Sequence, residues 1–90
     1  MDAKTAKRND RRDLERLARA IARWERQGKK WAAEGDAEMA QVHAKDASDL
    51  RRLANAVKAG DYRRAANIAY RLDTIVRDQI PLRLYNAINR

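Results

Sequence analysis

The chain has 90 residues, 21 of them Lys or Arg and 13 Asp or Glu, for a formal charge of +8 at pH 7. Leu, Ile and Val number only 15 and Phe is absent, so apolar content sits near that of disordered chains and a fold must be argued from pattern. The lack of cysteine excludes a disulfide frame and a Cys-based zinc site. No run of about 18 apolar residues offers a membrane span, and the charged stretch from Met1 to Arg12 lacks the apolar core of a signal peptide. The expected compartment is the cytoplasm.

Residues 1–8 read as a flexible tail ahead of one helical domain, 9–90. The first helix is expected over about 10–34. Leu14, Leu17, Ile21, Trp24, Gly28 and Trp31 step by three and four along it, one seam with a near-heptad repeat. Gly35-Asp36 and Gly60-Asp61 then punctuate the chain. Glycine suits the left-handed residue just past a helix end, and aspartate suits the N-cap of the helix that follows. These junctions bound a second helix, 36–59, with Met39, Val42, Ala47, Leu50, Leu53, Ala54 and Val57 along its apolar side. A third helix, 61–79, carries the broader stripe Tyr62, Ala65, Ile68, Ala69, Leu72, Ile75 and Val76. Pro81 ends it and can open a short last helix, 81–88. No segment alternates with a period of two. The expected fold is all-α, a compact antiparallel three-helix bundle plus a short C-terminal helix. Its core is thin, and dimerisation would be a natural remedy.

Charge is unevenly spread along the chain. Residues 1–31 carry net +6, residues 32–50 net −4 and residues 51–90 net +6. Opposite the apolar seam of the first helix stand Arg12, Arg16, Arg19, Arg23, Arg26 and Lys30, six cations with no carboxylate among them. Their spacing puts them on one line about 27 Å long by helical rise. Guanidinium groups bond phosphate bidentately and never lose their charge, so such a line suits successive phosphates. The plainer reading is a solvated helix face, in which Glu15 and Glu25 pair with Arg19 and Lys29 at i,i+4. Arg63, Arg64 and Arg71 on the third helix form a possible second patch. The acidic start of the second helix (Glu34, Asp36, Glu38, Asp46, Asp49) has two readings: complementing the helix dipole, or meeting another subunit's basic helix.

Other signals are weaker. Trp24, Gly28 and Trp31 are either core of the monomer or a dimer or partner seam, since Gly in a helix interior wants a close neighbour to justify it. His43 with Asp46 could orient an imidazole, but no nucleophile accompanies the pair, and one His with carboxylates is a poor zinc set. A polar pair at the bundle edge explains it better. No phosphate-binding glycine loop is present, and neither a cofactor nor a metal is expected. Ala56 and Gly60 have helix-turn-helix spacing, yet Asn55 and Ala66 stand where that motif wants apolar residues. Ala59-Gly60-Asp61-Tyr62 with Ala65 resembles the hairpin of tetratricopeptide repeats and is similar to a hairpin of a basic three-helix protein of the small ribosomal subunit. That likeness spans one hairpin, so it implies a helix turn and no repeat array.

The function expected from these residues is that of a non-enzymatic basic binding protein, engaging phosphate-rich ligand, nucleic-acid backbone above all, through the first-helix stripe. Two alternatives stand beside it. One is a protein-interaction module, such as a phage or mobile-element inhibitor or adaptor that binds an acidic host surface, with Trp24 and Trp31 as anchor. The other is an oligomeric protein that sequesters small anionic nucleotides.

Overall fold

In the computed structural model, backbone is described for residues 3–89 and side chains for residues 10–89. Five helices follow in chain order: α1 (Ala3–Ala33), α2 (Ala37–Lys58), α3 (Tyr62–Tyr70), α4 (Thr74–Arg77) and α5 (Leu82–Ile88). Among the described residues there is no strand.

α1 starts well ahead of the expected residue 10 and is helical through 3–8, where a tail was expected. No Gly or Pro interrupts the chain before Gly28. Once a helix is nucleated, each added residue gains a hydrogen bond at low cost, so the helix propagates until something stops it. At 31 residues it is roughly 46 Å long by helical rise, which accounts for the 50 Å long dimension of the molecule.

Both Gly-Asp junctions are built alike. Gly35 and Gly60 take φ of +83° and +75°. At the first, Asp36 N–H donates to the Trp31 carbonyl (2.9 Å) and Gly35 N–H to that of Ala32 (3.1 Å). At the second, Asp61 N–H donates to the Ala56 carbonyl (2.8 Å) and Gly60 N–H to that of Val57 (3.0 Å). This pairing of six-to-one and five-to-two bonds satisfies the orphan carbonyls of the ending helix. The same aspartates then cap the next helix. The Asp36 carboxylate accepts from Met39 N–H at 3.0 Å, and that of Asp61 from Arg64 N–H at 3.1 Å. Each junction thus reverses the chain in a few residues.

The expected third helix, 61–79, is broken. α3 ends at Tyr70, Asp73 is extended (φ −61°, ψ 153°), and α4 restarts for a single turn. Asp73 and Thr74 are both poor helix formers whose side chains compete for backbone groups. The Arg77 side chain stabilises the break. Its Nη2 donates to the carbonyls of Leu72 (2.8 Å) and Tyr70 (3.4 Å). The kink keeps Leu72, Val76 and Ile80 buried and turns Ile75 out to solvent, against its expected place on the apolar stripe. Pro81, at φ −53°, precedes α5, and its carbonyl accepts from Tyr85 N–H at 2.9 Å.

α1 and α2 pack as an antiparallel hairpin, and α3 lies on α2 rather than on α1. α5 touches both α3 and α1, so α3, α4 and α5 together fill the third position of the bundle. The Tyr62 hydroxyl also donates to Asp10, tying the start of α3 to α1. Leu17, Leu50, Leu53 and Leu84 are the large side chains fully enclosed in the core. Ala47, Ala54, Ala65 and Ala69 let the helices approach closely around them. The partly buried Trp24 packs against this cluster, and the hairpin tip from Glu25 to Val42 contributes no residue to it.

Candidate polyanion-binding groove

The helical phase of α1 decides which of its side chains meet solvent. With Leu17, Ala20 and Ile21 buried, Arg12, Arg16, Arg19, Arg23, Arg26 and Lys30 all fall on the exposed side. The expected neutralisation by neighbouring glutamates does not occur. Glu25 reaches across the hairpin to Arg51 of α2 instead of pairing with Lys29, and Glu15 forms no ion pair with Arg19. Among the described residues the ion pairs are Arg51–Glu25 and Arg52–Asp49, and neither takes a cation from the stripe.

The stripe is not a uniform line. The segment from Thr74 to Tyr85 runs beside its middle and makes a groove of about 730 Å³. Arg16, Arg19 and Arg23 form one wall. Arg77, Asp78 and Gln79 contribute to the other, with Ala20, Ile80, Pro81, Leu82 and Tyr85 supplying apolar surface. Arg12, Arg26 and Lys30 lie along the same helix face outside the groove. Four arginines against one aspartate leave the lining strongly positive. Arg77 is held in place by the Tyr70 and Leu72 carbonyls, whereas the three α1 arginines are exposed. Tyr85 is half-buried, packed on the core cluster on one side and lining the groove on the other. Arg77 and Tyr85 were not legible as site residues, because their position beside α1 depends on contacts between segments far apart in the chain.

Elsewhere on α1, Asp13 is buried, with 4% of its surface exposed, and among the described residues its Oδ2 has no hydrogen-bond partner. Burial pushes its carboxyl pKa up; nearby Arg83 and Arg16 oppose the rise, and Asp10 adds to it. A charge in this position had no signal in the sequence beyond its place one residue ahead of Leu14 on the seam.

The second patch is only partly assembled. Arg64 and Arg71 share a hollow of about 460 Å³ with Lys45, Arg52 and Asn67 of α2 and α3, while Arg63 is exposed outside it. Asp49 also lines this hollow and pairs with Arg52 at 3.0 Å, which reduces its charge.

Part of the tryptophan seam, Trp24 and Gly28, packs on α2 within the chain. A Cβ on Gly28 would meet His43 Cβ at 3.1 Å, so glycine is what lets α2 come this close. The Trp24 ring lies 5.5 Å from the His43 ring, tilted by 30°. His43 Nδ1 donates to the Met39 carbonyl at 2.9 Å rather than pairing with Asp46. Trp24 and Trp31 are half-buried. Among the described residues no three His, Asp or Glu side chains gather as metal ligands, and no helix is long and apolar enough to cross a membrane.

No protein-family model matches the chain, and comparison with curated proteins and with solved structures yields no match.

Proposed function

We propose that this chain is a non-enzymatic binding protein for phosphate-rich polyanions, nucleic-acid backbone first among them. The observation that carries the reading is the unpaired basic face of α1. Six exposed cations stand on one side of a helix, none joined to a carboxylate among the described residues. Like charges at i,i+4 repel and cost helix stability, so a partner that neutralises them gives the arrangement a reason. Arg16, Arg19 and Arg23 are the centre of the face, where Arg77 adds to the field. Affinity comes from phosphate contacts and counterion release, with little sequence readout. The protein-interaction alternative has less support, because Gly28 and Trp24 already pack on α2.

The test is a titration of labelled nucleic acid at graded salt. With six phosphates neutralised, the slope of log K against log salt is about −4 on a single strand and about −5 on a duplex. Affinity then falls several-hundredfold or more between about 50 and 200 mM salt. Replacing Arg16, Arg19 and Arg23 together by Gln flattens the slope by about 2 to 3. No binding of any nucleic acid at low salt refutes the proposal.

A further inference from the structure

We infer that the groove between α1 and the Thr74–Tyr85 segment is a site for single-stranded nucleic acid, in which Tyr85 stacks one base while Arg16, Arg19 and Arg23 hold the flanking phosphates. The inference rests on the polyanion reading above and specifies the form of the ligand.

A purely electrostatic surface needs only charge. This groove also offers apolar surface directly beside the cations, from Pro81, Leu82 and Tyr85. Leu82 is 74% exposed, so its side chain is available to a ligand in the groove. A phosphate alone gains nothing from these side chains, and a duplex keeps its bases paired inside the helix, away from them. A strand with free bases matches both halves of the lining: anionic oxygens on guanidinium groups, a base face on the ring. The groove volume of about 730 Å³ falls within the usual range for small-ligand pockets, so a nucleotide unit can enter. Packing of Tyr85 against the core holds its ring in place, which lowers the ordering cost of stacking. Arg77 adds charge without having to be ordered, since the Tyr70 and Leu72 carbonyls already hold it.

Fluorescence anisotropy with three labelled probes of equal length tests this: an oligothymidylate, a strand of the same phosphates with abasic sites, and a duplex. On charge alone the duplex binds tightest, since its charge density is highest. The groove reverses that order. The oligothymidylate binds about tenfold more tightly than the abasic strand, the factor for one stacked base. Tyr85→Leu keeps an apolar side chain against the core, removes the aromatic face, and brings the oligothymidylate down to the abasic level. Tyr85→Phe retains the face and the affinity. Equal affinity for oligothymidylate and abasic strand overturns the inference, as does tighter binding of the duplex or equal loss in the Leu and Phe variants. In those cases the polyanion reading survives if Arg16, Arg19 and Arg23 to Gln still weakens binding. If no probe binds at low salt, both fall.

Discussion

At Gly28 the α1 and α2 helices approach closely, and its substitution has an outcome set by two opposed terms. Ala is favoured over Gly in a helix interior by about 1 kcal/mol. The added Cβ would sit 3.1 Å from His43 Cβ, closer than ordinary contact, while the Ala40 carbonyl oxygen at 3.7 Å is unstrained. His43 Cβ is fixed to the α2 backbone, so relief requires the helices to part by a few tenths of an ångström. Overpacking of that kind costs typically about 1 to 3 kcal/mol. The expected net effect of Gly28→Ala is therefore a loss of about 1 kcal/mol, or roughly 4 to 8 °C in Tm for a domain of this size. The two terms separate when the substitution is repeated in two backgrounds. His43→Ala removes the ring and keeps the Cβ; His43→Gly removes both. In the first, Gly28→Ala destabilises as in the parent. In the second it stabilises, by up to about 1 kcal/mol. Urea melts followed by circular dichroism measure all six chains, the three backgrounds each with and without Gly28→Ala. Equal stabilisation in both backgrounds would refute the close-approach argument, because propensity alone would then explain the change.

Asp13→Asn tests the buried carboxyl. A carboxyl whose folded pKa is raised binds more protons in the native than in the unfolded state over the window from its ordinary value of 3.8 upward. The parent therefore loses stability from this group as pH rises through that window, and the loss is complete above the raised pKa. Stability of Asp13→Asn relative to the parent should increase from pH 3 to pH 7 in denaturant melts; a flat difference counts against the burial effect. Asp36→Ala removes the N-cap acceptor of Met39 N–H and should cost about 1 kcal/mol, with Asp36→Asn retaining most of it. Gly60→Ala forces a side chain into a φ of +75° and should cost about 1 kcal/mol in the same melts, although nothing stands within 4 Å of the new Cβ.

What the amino-acid sequence determined by itself is local. Gly35-Asp36 and Gly60-Asp61 specify both hairpins, because a left-handed residue and an N-cap act within one turn of the chain. The spacing of Leu17, Ile21 and Trp24 likewise fixes which side of α1 carries the cations, and all six are exposed as that phase requires. Only the tertiary structure decided where those cations meet anything else. The break after Tyr70 depends on Arg77 reaching back to two carbonyls, and on Leu72, Val76 and Ile80 being buried in the core. A helix-period stripe continues through that point in the sequence, so periodicity alone favours one unbroken helix. The exchange of Glu25 from Lys29 to Arg51 depends on how close α2 approaches, which i,i+4 spacing does not encode. The placing of Tyr85, Pro81 and Arg77 beside Arg16, Arg19 and Arg23 follows from that break and that packing. The cationic face was thus written in the order of residues along one helix, while the groove that gives it shape arises from contacts between segments far apart in the chain.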